Sequence, residues 1–387
     1  MILDRFFGPS RILSVARPRV PSPTWPALFD QPEALKAAVA ALPDLERPSR
    51  KGDATSGKPA HLGRVSHLFF LLGDTHLVSM DDQHCKVWHV ATRTLTATFL
   101  HHSNPSHVAV MPDGRGLLFK QFLGGVMLRR LPDGEIIGQL HLPSTVFAVH
   151  PAGQVLSVLD HRNNVQMCAL PTLRVEGVLP MVSPRLLAIS PDRASVAGVC
   201  GESTIEIWSW PDGKLRQKLD AGNKVTSLRF SADGSLLLAV GRSPGVSCWS
   251  TKDFSAIASR GGVGPVCELV LFPSGGDFHT LDASSRLVRW CGGQPHRAVK
   301  KHFLHGLKVS PDGRRLAGVH AGHGIKVFAL PGLNASRRYE VGRSPATSFA
   351  FSGDSQALVA GSALGRIRFW RLDRAGQEES FCFESPQ

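Results

Sequence analysis

The sequence holds a single tyrosine, Tyr339, and only 19% charged residues. It has no uninterrupted apolar run of about 18 residues, the length a membrane-spanning helix needs, so no membrane span is expected. Its N-terminus carries Asp4, Arg5 and Arg11 and lacks the clean apolar stretch of a secretory signal. Arg5, Arg11, Arg17 and Arg19 against the one acid Asp4 leave a transit peptide as the alternative. The seven cysteines stand singly with no CxxC pair, and several fall inside expected strands. Buried free thiols in a reducing compartment fit this pattern, which points to the cytoplasm. There is no P-loop, no GxGxxG after a strand, no GxSxG and no HExxH. The histidines include His101-His102, His302 with His305, and His320 with His323, but none joins cysteine or carboxylate at a structural-zinc spacing. Paired carboxylates occur only as Asp81-Asp82 and Glu378-Glu379. Adjacent residues diverge on a strand or hairpin, so these are not a two-carboxylate catalytic pair. No cofactor or metal is expected.

What the chain does have is a globular composition, 42% apolar over 387 residues. Its formal charge is +13, of which residues 1–63 hold +3 and the rest +10. The basic excess therefore belongs to the body of the chain, where it favours acidic partners or surfaces. Residues 1–62 differ in kind from the remainder of the chain. Pro18, Pro21, Pro23 and Pro26 crowd around Trp25 and predict extended, irregular backbone. Asp30 reads as an N-cap, and a short helix is predicted over about 32–42, stopped by Pro43. A polar linker rich in Gly, Ser and Lys occupies 47–59. Two roles stand open for this extension: an arm docking a partner through Phe6, Phe7 and Trp25, or a strap packed on the main body.

From residue 63 the chain repeats itself. The segment 349–372 reads as three short strands cut by Ser352-Gly353-Asp354-Ser355 and by Gly361-Ser362-Ala363-Leu364-Gly365. Positions equivalent to Asp354 are Asp74, Asp113, Ala152, Asp192, Asp233, Ser274 and Asp312, seven steps averaging 40 residues. The residues five and three before each turn position run from Phe69/Leu71 to Phe349/Phe351, and all sixteen are apolar. One face of a half-buried strand requires this. Sixteen residues after the turn stand Arg129, Cys168, Trp208, Trp249, Trp290, Phe328 and Trp370, with Trp88 at a spacing of fourteen in the first unit. A fourth strand closes each unit, as at 136–140, 215–219 and 380–384. One such sheet of about 40 residues cannot stabilise itself. Four-stranded antiparallel units at this period predict an all-β fold, a β-propeller whose blades stack around a channel.

The stretch from Leu358-Val359-Ala360-Gly361-Ser362 to Ile367-Arg368-Phe369-Trp370 resembles the WD40 pattern of LASGS, a turn and VKLWD. Ser310-Pro311-Asp312-Gly313, Ser190-Pro191-Asp192 and Ser231-Ala232-Asp233-Gly234 resemble that family's SPDG turn. The resemblance covers residues 64–387 and implies a WD40-like β-propeller over 63–387, with eight four-stranded blades, or seven with one unit elsewhere. No Trp is followed by Asp, and Gly222-Asn223-Lys224 and Gly342-Arg343-Ser344 replace the family's Gly-His. The family's Asp-His-Ser-Trp network is therefore expected to be degraded. Arg129 in a Trp position predicts a more exposed edge in blade two. Closure is expected through the last unit's own strand around Phe381-Cys382-Phe383, or through an outer strand at 11–16.

On this fold the resemblance implies a non-catalytic protein-interaction scaffold that docks partners on the propeller rim, and through the N-terminal arm, to assemble a multi-protein complex. Mapped onto this chain, the rim takes Asp82, His102, His161, Arg162, Lys224, Arg242, Arg286, His320 and Arg343. Each alone also reads as an ordinary exposed loop residue. As a set they lean positive, which predicts an acidic or phosphorylated partner surface. The alternative is nucleic-acid backbone binding by Arg286, Arg289, Arg297, Lys300, Lys301 and Lys308 together with Arg366, Arg368, Arg371 and Arg374. No aromatic ladder accompanies these charges for stacking single strands. A propeller enzyme with a channel-mouth site is the third reading.

Overall fold

Alternating apolar residues bounded by Gly, Asp and Ser turns fold here as hairpins. The computed structural model describes residues 58–384 except 72, 102–107, 112, 121–124, 143–145, 242–244, 260–264, 274, 301–303, 321–323, 334–335 and 373–379. The helix expected at 32–42, the segment 11–16 and the anchors Phe6, Phe7 and Trp25 lie outside the described residues. Thirty-two strands and no helix occupy the described part, paired into eight four-stranded sheets in chain order. Blade one comprises His67–Leu71, His76–Met80, His84–His89 and Thr94–Leu100; blade eight comprises Ala346–Phe351, Ala357–Ser362, Ile367–Arg371 and Ser380–Phe383. First strands of neighbouring blades touch at four of the eight seams, eight/one, three/four, four/five and six/seven, and among the described residues no fourth strand is in such contact, so the first strands face the axis and the fourth strands lie outside.

The sixteen apolar positions of the first strands are all buried or half-buried. They feed eight core clusters, each spanning two consecutive blades. Val199, Ile205 and Ile207 of blade four meet Leu228, Leu237 and Trp249 of blade five. At the seam between last and first blades, Val359, Ile367 and Phe383 meet Leu68, Leu77 and Trp88. Each such side chain removed from water contributes about 1.5–3 kcal/mol, and no blade buries its faces without its neighbours. In several blades a β-bulge falls just before the large residue of the third strand, at Val87/Trp88, Ile207/Trp208, Cys248/Trp249 and Arg289/Trp290. A bulge re-aims the side chain after it.

Arg129 departs from the exposed edge expected of it. It is half-buried, its guanidinium lies 4.9 Å from the Phe99 ring of blade one, and Nη1 donates to the Gly134 carbonyl at 2.7 Å. A planar cation over an aromatic ring fills the seam that Trp fills elsewhere.

The recurring turn has a hydrogen-bonding cause. Ser190 Oγ donates to Asp192 at 2.5 Å and accepts the Ser195 N–H at 2.9 Å. Ser231 with Asp233, Ser310 with Asp312 and Ser352 with Asp354 repeat the pattern. A short side chain that satisfies the turn's own backbone fixes the turn without outside help. Asp74 works differently: its carboxylate accepts the Gly353 and Asp354 N–H groups of blade eight at 2.6 and 2.9 Å. The ring thus closes with blade eight complete, since Ser380–Phe383 is its own fourth strand. His61 N–H to Gly365 O at 3.0 Å and Val65 N–H to Ser362 O at 3.1 Å add backbone links across that seam.

Candidate docking surfaces

In an antiparallel meander, successive connections alternate between the two ends of the sheet. Turns between second and third strands, and loops between blades, share one end, the rim. Asp82 lies in such a turn of blade one, and His161 and Arg162 in that of blade three. Arg286 opens the third strand of blade six, and His320 ends the second strand of blade seven. Lys224 stands directly before the blade that begins at Val225, and Arg343 three residues before the one that begins at Ala346. Topology therefore places these seven at one end of their blades. All are exposed except His320, which is half-buried. His102 and Arg242 lie outside the described residues.

Buried carboxylates hold the rim turns. Asp81 accepts the Gln83 and His84 N–H groups at 2.8 and 2.6 Å. Asp160 accepts those of Arg162 and Asn164 at 2.7 and 2.9 Å, and Asp282 those of Ser284 and Arg286, both at 2.9 Å. The exposed rim residue thus rides on a backbone fixed from within. Lys224 also pairs with Glu202 of the neighbouring rim turn at 2.8 Å.

Beneath the blade-one turn the expected degradation of the Asp-His-Ser-Trp network does not hold. His61 Nδ1 lies 3.0 Å from Asp81 Oδ2, His61 Nε2 lies 2.7 Å from Ser79 Oγ, and Trp88 Nε1 donates to Ser79 Oγ at 2.7 Å. With His61 neutral each contact has one proton: Nδ1–H to Asp81, Ser79 O–H to Nε2, and the indole N–H to Ser79. Burial pushes the imidazole down, against the pull of Asp81. Burial by itself would raise the Asp81 carboxyl, but His61 and the turn's backbone donors outweigh it and hold the carboxyl well below the usual range. His61 was hidden in the sequence because Ala60 stands where Gly-His is usual. Blade six keeps half the network, with Trp290 Nε1 donating to Thr280 Oγ1 at 2.8 Å.

Arg229 and Lys308 occupy equivalent positions of their first strands, four before the turn. Six other blades carry Phe70, Ala109, Ala148, Ala188, Val270 and Ala350 there. Lys308 Nζ reaches across to the Phe349 carbonyl of blade eight at 2.7 Å. Enclosure by protein pushes its ammonium down to about 8 and lowers the Arg229 guanidinium too, although water still touches both side chains. Arg229 escaped the sequence reading, yet a charge in an otherwise apolar slot of the repeat was the available signal.

The cations considered for nucleic acid do not share one face. Arg286 is on the rim, whereas Lys308 is bonded to the Phe349 carbonyl of the next blade; Arg289 pairs with Asp277 at 3.0 Å, and Arg368 donates to Glu340 O between blades. Among the described residues no three His, Cys, Asp or Glu gather as a metal site, and no helix is long and apolar enough to cross a membrane.

The profile of the WD domain, G-beta repeat family matches residues 213–250 and 337–371. Each window runs from one blade's fourth strand to the next blade's third. Telomerase protein component 1 of Rattus norvegicus is 27% identical over 161 residues, 40% of this chain and 6% of that protein; the chain thus spans a small fraction of that relative. The C-terminal WD40 domain of Sif2 superposes with a TM-score of 0.62 at 13% identity, covering 79% of this chain and 97% of that one. The computationally designed Ika8 protein gives 0.66 at 16% identity, over 81% and 98%. At these identities the likeness is one of fold.

Proposed function

Because the chain is a WD40-like β-propeller of eight blades, we propose that it is a non-catalytic scaffold whose rim docks an acidic or phosphorylated surface of a partner protein and so assembles a multi-protein complex. WD40 propellers generally serve as protein-interaction scaffolds. The observation that carries the reading is the rim: exposed Arg162, Lys224, Arg286 and Arg343 sit at one end of four different blades. At Arg162 and Arg286 the turn backbone is pinned by a buried carboxylate. A rigid, spaced set of cations loses little entropy on meeting anions, which suits recognition. The rat relative is by name a component of telomerase, which fits a propeller working as one part of something larger. A reducing, cytoplasmic setting is inferred from seven free cysteines, three of them with thiols pushed up to about 11 or 12 by burial. The N-terminal arm is proposed as an auxiliary contact through Phe6, Phe7 and Trp25.

The test is capture from native lysate by the full chain, by its Lys224→Glu/Arg286→Glu/Arg343→Glu variant, and by a chain lacking residues 1–57, which keeps His61 and its bonds to Asp81, Ser79 and Gly365. A specific protein retained by the full chain and lost by the triple variant is the expected result. No retained protein, or equal retention by the triple variant, sinks the rim reading. Retention of nucleic acid that falls steeply with salt would instead favour phosphate-backbone binding.

A further inference from the structure

At the end opposite the rim, blades six and seven part around a groove of about 630 Å³ lined by Phe272, Arg289, Arg314, Ala329, Leu330 and Pro331 among others. Phe272 comes directly after the first strand of blade six, Val266–Leu271, and Arg289 belongs to its third strand, Arg286–Cys291. Gly313 and Arg314 lie in the turn between the first and second strands of blade seven, and Leu330 and Pro331 begin the turn between its third and fourth strands. The floor is stiff. Phe272 stacks on buried His279 with ring centroids 5.2 Å apart, and the Arg289 guanidinium lies 5.8 Å from the Phe272 ring.

The charges there are unevenly used. Arg289 Nη2 is held by Asp277 at 3.0 Å, while its Nε is buried with no partner. Arg315, which also lines the groove, turns its Nη1 to the Ser355 carbonyl of blade eight at 2.7 Å and stands 3.9 Å from Asp312. Exposed Arg314 is the remaining cation; its backbone N–H is held by Asp312 and its charge acts on that carboxylate, but its guanidinium makes no close ion pair among the described residues. One exposed positive charge without a close ion pair thus stands beside an apolar wall of Phe272, Leu330, Pro331 and Ala329.

We propose that this groove docks a short extended segment of a partner protein in which an Asp or Glu lies next to an apolar side chain. The carboxylate would pair with Arg314, with Arg289 at its back, and the apolar side chain would cover Phe272 and Pro331. A phosphate dianion fits less well, because the carboxylates of Asp277, paired with Arg289, and of Asp312, beside Arg314 and Arg315, would repel a second negative charge. The proposal rests on the scaffold reading but concerns the other end of the propeller, so the two fail separately.

Selection of random dodecapeptides displayed on phage against the intact full-length chain tests it. The best sequences are then synthesised with a fluorescein label and titrated by fluorescence polarisation. Enrichment of Asp or Glu adjacent to Leu, Phe or Met is expected. Arg314→Glu should weaken binding roughly tenfold or more, the weight of a charge-assisted hydrogen bond. Arg314→Gln should weaken it less, and Ala329→Trp should block it without touching a charge. Both positions are exposed, so melting temperatures should hold, while Lys224→Glu/Arg343→Glu on the rim should leave the affinity unchanged. The proposal is overturned by no enrichment, by a basic or purely apolar consensus, by binding that survives Arg314→Glu and Ala329→Trp, or by loss through the rim variant alone. Tighter binding of the same peptides with phosphoserine in place of the acid would also overturn it.

Discussion

At the scale of single residues, buried histidines decide how this propeller responds to acid. His279 is fully buried, and neither ring nitrogen has a hydrogen-bond partner. Burial, helped by Arg289 and opposed by Asp277, pushes its imidazole down from 6.5 to about 4. His67 is driven to about 4 as well, by burial and then by Lys308, His101 and Arg64, and His61 is lowered by burial. In each case the folded state holds the proton more weakly than the unfolded chain. Stability is therefore full above the unfolded value of 6.5 and lost as pH falls toward 4. His279 by itself should remove about 2 kcal/mol by pH 5, read as a shift in urea midpoint between pH 7.5 and pH 5. His279→Phe keeps the stack on Phe272, deletes two unsatisfied polar atoms and should flatten that dependence at no loss near neutrality. A pH profile unchanged by His279→Phe would assign the acid sensitivity to other groups. None of this was visible in the sequence. His279 stands in an ordinary alternating strand, and its lack of partners comes from three-dimensional packing that no local pattern encodes.

At the scale of strands and turns, legibility was high wherever a residue's reason is local. The Ser-x-Asp turns satisfy their own backbone, so their spacing survives as a countable period. The sixteen apolar positions of the first strands obey a two-residue alternation that the fold cannot relax. Residues whose reason lies far off in the chain were misread or missed: Arg129, explained by Phe99 of the blade before, and His61, explained by Asp81 and Ser79 about 20 residues on. Gly365 belongs with these. Its φ is +75°, and a Cβ there would sit 1.9 Å from the His61 carbonyl oxygen of blade one, so side chains are barred by backbone conformation and by a neighbour about 300 residues away in the chain. Gly365→Ala should cost about 1–3 kcal/mol in strain alone, and more once the His61–Gly365 link is displaced. Gly201, with φ +78° and nothing near its Cβ position, is the control: Ala there carries the strain without the collision. Equal losses from the two substitutions in chemical denaturation would show that the contact with His61 has no weight.

At the scale of the whole molecule, seven seams join blades that are consecutive in the chain, and one joins blade eight back to blade one. That last seam has no covalent connection and is held by packing and hydrogen bonds alone. Phe383, 1% exposed, fills it with its ring 5.5 Å from Trp88, and Asp74 clamps the turn of blade eight through two backbone N–H groups. Phe383→Ala should cost about 3–5 kcal/mol, the usual loss for emptying a buried aromatic site. Phe278→Ala, at the seam between blades five and six and stacked on Trp290 at 5.4 Å, should cost a similar amount. The consequences should differ in kind. When a consecutive seam loosens, the chain still tethers the two blades and the rest of the ring still presses them together. When the closing seam loosens, blade eight can swing away as a unit and the ring opens. Native-state hydrogen exchange distinguishes the two, since local opening appears as fast exchange confined to one cooperative unit. Phe383→Ala, and more mildly Asp74→Ala, should speed exchange in Ile367–Arg371 and Ser380–Phe383 well ahead of global unfolding. Phe278→Ala should lower protection evenly around the ring. If both aromatic substitutions give the same even loss, the closing seam is no weaker than the others, and the ring unfolds only as a whole.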